Sequence, residues 1–539
     1  MGASSSTDHN HSTEQQQLES LVASTGALPM LQTTFSKLAD PQTNSIHLQS
    51  LQQCFCLDYK NLSCEGRDIP ESFRLLLDHL GASIVDIFFV SEEGGISWVE
   101  FLRGYLKCCG RMPASVALNA LLRVFSTTSA KAGLPLKLEF EFIDDDDCKI
   151  SGALLAVDVL VLLLLCWTML WDSRNSAFSE GKGNLCLPDV SHLVLSAVVS
   201  CAEVDSDLNL WDCDISSLVV ELAAGKLLTW ALTTVPGLSD CFTQFVHSRL
   251  QNSVPSAELE HPTSSLGEIS PGEASDLCLL TCGRAFAISL TLRGIMRTEI
   301  LKPYLPAGGD GTYENLLYRS SHHGRGMNRF WSNIEGYHGP SLLLVSATSV
   351  DSHDDGTNER KWVIGALTQQ GFENRDVFYG TSGSLYAICP VFHAYTQSGK
   401  DKNFVYSHLH PTGRAYDPHP KPVGIAFGGT TGNERIFIDE DFSKITVRHH
   451  AADKTYQHGP LFPTQGYLLV EASITEVEVW GLGGKAASAT QTSYKKREEL
   501  FIEQRRKIDL KTFANWEDSP EKMMMDMMSN PNAVRREER

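Results

Sequence analysis

The sequence predicts an α+β protein: a mainly helical N-terminal region, then an antiparallel β-sandwich with flanking helices, then a charged C-terminal helix. Between residues 25 and 250, apolar residues recur at helical spacing, as in Glu71–Leu80 and Leu218–Trp230. After residue 297, short apolar runs alternate with polar or glycine-rich turns, which predicts the strands of a sandwich. These runs are Ser341–Ala347, Trp362–Leu367, Ser384–Cys389, Phe404–Tyr406, Gly424–Phe427, Arg435–Ile438 and Tyr467–Trp480. The charged composition of Ser493–Thr512 predicts the final helix.

Length, charge and cysteine usage restrict the class of protein. A chain of 539 residues exceeds one compact core, so more than one domain is expected. The formal net charge of -20 disfavours nonspecific nucleic-acid binding, and it disfavours adhesion to anionic lipid through charge alone. The 14 cysteines have neither disulfide-framework nor zinc-site spacing, which favours reduced thiols in a cytosolic protein and predicts no bound metal.

Shifts in composition divide the chain into five segments. They are a disordered tether at 1–24, an EF-hand-like helical region at 25–250, a linker and leading helix at 251–296, a β domain at 297–484, and a charged extension at 485–539. The extension contains the methionine-rich run Met523–Met528, which suits an adaptable partner surface. A frayed terminus is the equally supported alternative for that run.

One apolar segment has the composition of a membrane span. Ala153–Trp171 is almost wholly apolar, but Asp158 interrupts it and Asp144–Asp147 lie just before it. A spanning helix needs about 20 apolar residues and tolerates a carboxylate poorly. The sequence therefore favours a buried core helix.

The first six residues, Met1 to Ser6, fit the N-myristoylation pattern, in which Gly2 accepts the lipid after removal of Met1. An unmodified tail is the alternative. A single myristoyl chain gives only reversible membrane binding. No cysteine precedes Cys54 and no lysine or arginine precedes Lys37, so a second membrane signal is missing nearby. We expect exchange between cytosol and membrane, with a partner supplying further affinity.

The segment Phe89–Phe101 is similar to a calcium-binding EF-hand loop. It places Gly94 at the turn, Ile96 at the apolar position and Glu100 at the bidentate twelfth position. Position one would be Phe89, which offers no side-chain oxygen, whereas a working loop needs oxygen ligands at its first positions. This loop is therefore predicted to keep the EF-hand packing without the metal.

Two further segments match the same pattern more weakly. The segment from Asp40 offers Asn44 and Ile46 but no turn glycine, and the run Asp144–Asp147 would place Leu154 at position twelve. The sequence thus predicts an EF-hand-like scaffold with no metal site. A calcium-responsive adaptor stays open as an alternative function.

Eight segments of the C-terminal region resemble, in order, those of the TLDc family. They are Asn315–Ser321, Gly339–Val345, Val363–Leu367, Phe378–Thr381, Asn403–Tyr406, Gly424–Gly429, Ile436–Phe442 and Glu478–Gly481. The resemblance implies structural roles for its signature residues, with direct partner contact as the alternative: Tyr379, Gly380, Gly428, Gly429, Trp480 and Gly481. The glycines are expected at positive φ or at close strand contacts. The exposed acidic turn Asp439-Glu440-Asp441 is our candidate for partner contact.

The resemblance also implies a function. TLDc proteins are interaction proteins implicated in oxidation resistance, and several bind the vacuolar proton-pumping ATPase. The order of features here is similar to a branch whose animal member is associated with the mTOR kinase, with plant counterparts and a link to lysosomal signalling. We therefore expect a non-enzymatic protein without cofactor, cytoplasmic and peripheral to a lysosomal or vacuolar membrane. Its partners would be pump subunits and the lipid surface, and not nucleic acid.

An enzyme is the remaining alternative. Gly380–Ser384 nearly matches a nucleophile elbow, but Ser384 stands where that motif requires glycine. The histidines at 322–323, 408–419 and 449–450 show no recognisable spacing to a cysteine or carboxylate. No catalytic residue is predicted.

Overall fold

The computed structural model describes residues 6–57, 59–65, 71–91, 94–142, 148–175, 183–202, 209–253, 278–305, 314–350, 359–410 and 420–516, together with Lys522, Met524 and Met528. Helices dominate up to residue 301: α1 Ser6–Thr25, α2 Leu28–Leu38, α3 Leu48–Cys54, α4 Glu71–Phe88, α5 Trp98–Cys109, α6 Ala114–Lys131, α7 Ala156–Asn175, α8 Ser191–Cys201, α9 Ala224–Thr234, α10 Leu238–Asn252, α11 Cys282–Ser289 and α12 Gly294–Leu301.

Two small sheets stand among these helices. Strand β1 (Tyr59–Cys64) pairs in parallel with β4 (Gly183–Leu187). Strand β3 (Cys148–Leu155) lies between β2 (Leu138–Phe142) and β5 (Glu221–Ala223) and is antiparallel to both. Leu154, which the weak calcium-loop match would place at position twelve, lies in β3 opposite Leu222. The run Asp144–Asp147 itself lies outside the described residues.

Helix α7 is the apolar segment that the sequence assigned to the core. It is the one helix of the described part that is long and apolar enough to cross a membrane, and 78% of its most apolar window is buried inside the protein. Asp158 lies in its first turn and accepts a hydrogen bond from Leu155 N (2.8 Å), so the carboxylate caps the helix. The indole of Trp167 donates to Cys186 O (2.9 Å) and joins the helix to β4.

The prediction of a disordered tether over 1–24 is wrong for the described residues, since α1 begins at Ser6 and packs on α5. Val22 is fully buried and Leu18 packs beside it, one turn earlier. Trp98 of α5 donates its indole N–H to Glu19 (2.9 Å), and Arg103 pairs with Glu14. The polar composition concealed this docking because only a narrow apolar face, Leu18 and Val22, is needed to hold the helix.

The segment 251–296, predicted as a linker and leading helix, leads into α11 and α12 in the part that the structure describes. Residues 254–277 lie outside the described part, but α11 and α12 follow directly and pack into the core. Ala285, Phe286 and Ile288 are fully buried, and the Phe286 ring meets Trp167 edge to face at 5.4 Å.

The C-terminal region contains eleven strands in the described residues and three helices. The strands are β6 Leu316–Arg319, β7 Ser341–Val350, β8 Glu359–Thr368, β9 Arg375–Tyr379, β10 Gly383–Cys389, β11 His393–Tyr395, β12 Val405–His408, β13 Gly424–Thr430, β14 Asn433–Ile438, β15 Lys444–Val447 and β16 Val470–Gly481. The helices are α13 Ser320–His323, α14 Met327–Ile334 and α15 Gly484–Trp516.

These strands belong to one antiparallel sheet, in the order β11-β10-β8-β7-β16-β15-β14-β13-β12-β9, with β6 pairing on β16. The sequence predicted a sandwich of two sheets, whereas the strands form one continuous sheet. Strands β9 and β10 stand near opposite ends of this order, yet three residues join Tyr379 to Gly383. A link that short spans only about 14 Å, so the sheet curls until its ends meet.

The curled sheet has an inner and an outer apolar face. In the β7–β8 pair, Leu343 lies opposite Ala366 and Leu344 opposite Gly365, so successive residues face opposite sides. Leu343 and Ala366 point inward to a core shared with β13, β14 and β16. Leu344 points outward into the core of the helical region.

One apolar core therefore joins the helical region to the outer face of the sheet. It contains Leu342, Val363, Tyr386 and Trp480 from the strands together with α7, α8 and α11. The boundary near residue 297 is consequently a boundary in sequence but not in packing. Removing either region would expose a large apolar face of the other.

The docking of α1 can be tested at two adjacent positions. Val22→Asp places a carboxylate at a fully buried site, whereas Leu21→Asp alters a side chain that is 57% exposed. Burial of an unpaired charge should weaken the docking of α1 by about 3 kcal/mol or more. Amide hydrogen exchange over residues 13–25 should accelerate in Val22→Asp and stay near wild type in Leu21→Asp. Rapid exchange in the wild-type protein would show that the helix is not docked.

Candidate functional site

A buried ion pair lies inside the curled sheet. Arg435 of β14 and Asp453 are 1% and 0% exposed, and Arg435 Nη1 lies 3.2 Å from Asp453 Oδ2. The guanidinium also donates to Gln457 O and Gly459 O, each at 2.8 Å, and stacks over Tyr395 at 5.1 Å. Burial lowers the pKa of Arg435, while the charge of Asp453 opposes that shift.

The glycines predicted from the sequence surround the same carboxylate. Asp453 Oδ1 accepts from Gly429 N (3.0 Å) and Thr455 N (2.8 Å). Gly428 and Gly429 have φ values of +66° and +76°. A Cβ at Gly428 would lie 2.6 Å from Asp453 Oδ2, and one at Gly429 would lie 2.3 Å from Asn433 O. Both positions thus combine a left-handed backbone with a close approach that excludes a side chain.

Tyr379 and Gly380 close the sheet where β9 approaches β12. The Tyr379 hydroxyl accepts from Glu373 N (2.8 Å) and bonds to Ser407 Oγ (2.6 Å). Burial raises the pKa of Tyr379 to about 12, so the hydroxyl stays protonated. Gly380 has φ +108°, and a Cβ there would lie 3.0 Å from Phe404 Cβ.

Trp480 and Gly481 end β16 at the junction with the helical region. Trp480 donates its indole N–H to Glu478 Oε2 (3.0 Å). Glu478 also accepts from Leu279 N (2.8 Å), which fastens the chain before α11 to the sheet. A Cβ on Gly481 would lie 2.7 Å from the Tyr337 ring. All six signature residues therefore make internal contacts.

Comparison with known proteins identifies this arrangement. The sequence model of the TLDc domain matches residues 297–483. These residues form a TLDc domain. Its end lies one residue from the boundary at 484 that the sequence indicated.

A curated relative extends the comparison. The chain is 24% identical over 249 residues to the Restriction of telomere capping protein 5 of Pyricularia oryzae. The match covers 38% of this chain and 39% of that relative, so the chain spans about two-fifths of the relative's length. It is a distant relative that contains a TLDc domain.

The acidic turn Asp439-Glu440-Asp441 joins β14 to β15 in the TLDc domain. Asp439 is half-buried, and its carboxylate accepts from Ser443 N (2.8 Å) and Lys444 N (3.1 Å), so it stabilises the turn. Glu440 and Asp441 have exposed side chains. Of the three residues predicted to contact a partner, only Glu440 and Asp441 have side chains that face solvent. Composition alone could not separate them from Asp439.

The histidines that the structure describes in the TLDc domain lie in separate places. His408 Nε2 and His410 Nδ1 are 3.2 Å apart, whereas His449 and His450 stack on a separate loop. Ser384 lies on β10 two residues before Tyr386, whose hydroxyl bonds to Thr291 Oγ1 (3.0 Å). Within the described ranges, no group of three or more His, Cys, Asp or Glu side chains is placed to hold a metal ion.

A cavity of about 650 Å³ lies between α9 and the TLDc domain. Gly225, Thr229 and Thr233 of α9 line one side, and His393 and Gln457 line the other. Its walls carry hydroxyl, amide and imidazole groups, which could accommodate a polar ligand, but nothing in the sequence indicated it.

The helical region keeps a paired-loop geometry. Ile46 and Ile96 exchange backbone hydrogen bonds of 2.9 and 2.8 Å, as an isolated antiparallel bridge. Glu100 caps α5 instead of pointing to a loop centre: its carboxylate accepts from Ser97 N (2.7 Å) and Ser97 Oγ (2.8 Å). Gly2, the predicted lipidation site, lies outside the described residues.

The junction between the helical region and the TLDc domain contains a buried histidine. Phe392 N donates to His192 O (3.0 Å), and the two rings pack edge to face. Burial, together with the nearby Arg284, lowers the pKa of His192 from 6.5 to about 4, against the opposing effect of Asp189. Sequence reasoning missed both His192 and the Arg435–Asp453 pair. An arginine inside an apolar strand was the available signal for the latter.

The close contact at Gly428 predicts that alanine destabilises the protein more at Gly428 than at Gly432. Gly428 and Gly432 both have positive φ, but an added Cβ meets Asp453 only at Gly428 and meets nothing within 4 Å at Gly432. Gly432→Ala should cost about 1–2 kcal/mol through backbone strain alone. Gly428→Ala should cost a further 1–3 kcal/mol, roughly, because the buried carboxylate must move. Urea unfolding of the full chain measures both, and equal losses would contradict the role of Asp453.

The buried His192 predicts loss of stability in acid. Its folded pKa of about 4 lies below 6.5, so its contribution is complete above pH 6.5 and is lost as pH falls toward 4. The total loss should be roughly 3 kcal/mol. His192→Asn should reduce this pH dependence in urea unfolding between pH 7 and 4, while His47→Asn, at an exposed histidine, should follow wild type. Parallel curves for all three proteins would contradict the prediction.

Proposed function

We propose that this chain is a non-enzymatic, membrane-recruited interaction protein that binds subunits of the vacuolar proton-pumping ATPase through its TLDc domain and the helix that follows. The supporting observation is that the signature residues of the TLDc domain are occupied in internal contacts. They maintain a scaffold, and TLDc proteins are generally non-catalytic. Function then resides on the outer surface.

Helix α15 provides such a surface. Gln491 and Lys495 donate to Asn333 O, each at 2.9 Å, and Tyr494 bonds to Glu335 at 3.0 Å. From there to Trp516 the helix extends about 30 Å. Every side chain described between residues 496 and 507 is exposed, including the apolar run Leu500-Phe501-Ile502. An exposed apolar run on a projecting helix is typical of a segment that a partner covers.

The acidic turn supplies a second contact in this proposal. Glu440 and Asp441 face solvent on the TLDc domain and are held in place by the turn that Asp439 stabilises. A rigid pair of carboxylates suits a basic partner surface and contributes mainly to specificity and association rate.

We also propose that the N-terminal helical region is an EF-hand-like pair that serves as scaffold rather than calcium sensor. The Ile46–Ile96 bridge supports pairing of two such loops, and the capping role of Glu100 leaves its carboxylate turned toward α5. Myristoylation at Gly2 would bring the protein to the cytosolic face of a lysosomal or vacuolar membrane. Action there in oxidative-stress or lysosome-linked signalling is the cellular role that follows.

The interaction can be tested by capture of the full chain from cell membranes, with pump subunits scored by mass spectrometry. Phe501→Asp should reduce the captured pump subunits at least about tenfold, because an apolar contact on α15 is replaced by a charge. Val219→Asp is the matched control, since Val219 is also exposed but lies in the helical region. Glu440→Lys with Asp441→Lys should reduce capture less, with Glu359→Lys as control.

Gly2→Ala separates recruitment from recognition in the same experiment. It should lower the membrane-bound fraction while purified pump is still captured when supplied in solution. If wild-type protein captures no pump subunits, the proposed partner is wrong.

A further inference from the structure

Three consecutive apolar side chains project from the TLDc domain just before β16. Tyr467 and Leu468 are 85% and 82% exposed, and Leu469 is about half exposed. Single exposed apolar residues are ordinary on a protein surface, but a contiguous run of three at one loop marks an interaction site.

This apolar loop (Tyr467–Leu469) stands on a fixed base. Gln465 accepts from Leu461 N (2.7 Å) and donates to Arg448 O (3.0 Å), so it ties the chain just before the loop to the residue that follows β15. Arg360 donates to Thr464 Oγ1 (2.8 Å), and the His449 ring packs on Tyr467 at 4.3 Å. The loop is therefore presented to solvent by a network of bonds and is not a frayed end.

The surface beside the apolar loop is basic, although the chain as a whole is acidic. Between residues 444 and 470 the cations are Lys444, Arg448 and Lys454, accompanied by His449, His450 and His458. The acid within that segment, Asp453, is buried against Arg435. Arg448 lies 3.2 Å from Glu434 and Lys444 lies 4.0 Å from Glu471, and the acidic turn at 439–441 adjoins Lys444. Among the described residues, Lys454 is therefore the cation of this segment that no acid pairs.

A second loop adds charge of the same sign. Ser398 Oγ and the backbone N of Asp401 both donate to Lys454 O, which brings the exposed Lys400 and Lys402 alongside, with the half-buried Asp401 between them. An apolar tip beside a basic surface has the chemistry of an anionic bilayer: aliphatic groups enter the acyl boundary, a tyrosine occupies the interface, and cations face the headgroups.

We propose that Tyr467, Leu468 and Leu469 form a second membrane contact that inserts into an anionic lipid surface, with Lys454, Lys400 and Lys402 facing the headgroups. The contact complements the proposed lipid on Gly2, because one myristoyl chain gives only reversible binding. It places the TLDc domain, and not only the N-terminus, against the bilayer. It rests on the proposed membrane recruitment but does not depend on the identity of the protein partner.

The test uses the full-length chain without lipid on Gly2, so that binding reports the TLDc loop alone. Flotation is measured with vesicles of phosphatidylcholine and with vesicles that also contain phosphatidylserine. We expect binding to the anionic vesicles, weak binding to the neutral ones, and loss of binding at high salt. Leu468→Ser should lower the partition coefficient at least about tenfold. Val219→Ser, which alters an equally exposed aliphatic residue elsewhere, should bind as wild type.

Charge reversal tests the basic component separately. Lys454→Glu should weaken binding to anionic vesicles and leave the weak binding to neutral vesicles unchanged. All variants alter exposed side chains, and equal thermal unfolding midpoints verify that they fold. Equal flotation of wild type and Leu468→Ser overturns the proposal, as does absence of vesicle binding. If Leu468→Ser instead dissociates a dimer in vesicle-free solution, the loop is an interface between two copies and the proposal is wrong.

The vesicles contain no protein, so the result is independent of pump capture. If Leu468→Ser still captures pump subunits but no longer binds vesicles, the loop contacts lipid and is not needed for pump binding. If Phe501→Asp fails to capture pump subunits from membranes but still binds vesicles, the surface that contacts the pump is distinct from the surface that contacts lipid.

Discussion

The buried pair Arg435–Asp453 is the interaction on which the TLDc domain depends. Removing two charges from water is costly, and their attraction offsets that cost only when the remaining hydrogen-bonding capacity is satisfied. Here the guanidinium also reaches Gln457 O, Gly459 O and the Tyr395 ring, while the carboxylate accepts from Gly429 and Thr455. The pair thereby fixes the loop 449–459 against β13 and β14. That loop in turn carries the histidines and leads to the apolar loop at Tyr467–Leu469.

The second constraint is the shared core. The outer face of the sheet and helices α7, α8 and α11 bury each other, and Glu478 adds hydrogen bonds across the same junction. The TLDc domain is therefore held in one orientation relative to the helical region. Helix α15 is anchored at Asn333 and the apolar loop is fixed by Gln465. The proposed protein contact and the proposed lipid contact therefore keep a fixed distance and orientation relative to one another.

The sequence could predict elements but not their partners. All seven predicted strand runs overlap strands, because alternating apolar residues and glycine turns signal strands locally. Strands β6, β11 and β15 were missed, since runs of three or four residues carry little periodic signal. Periodicity also says nothing about which strands pair, so one curled sheet was taken for a sandwich. For Glu100 and Asp439 the residue type was informative, but whether each carboxylate binds a ligand or caps its own backbone is decided only in three dimensions.

The position of β16 has a consequence for synthesis on the ribosome. It is the last strand in the part of the chain that the structure describes, yet it lies in the middle of the sheet between β7 and β15 and also pairs with β6. Until residue 481 has emerged, the first and second halves of the sheet lack their common neighbour, and the nascent helical region lacks the residues Trp480 and Leu482 that help to cover it. Such a chain exposes apolar surface and unpaired strand edges for most of its translation. Its folding should therefore depend on chaperones that shield those edges until β16 has been made.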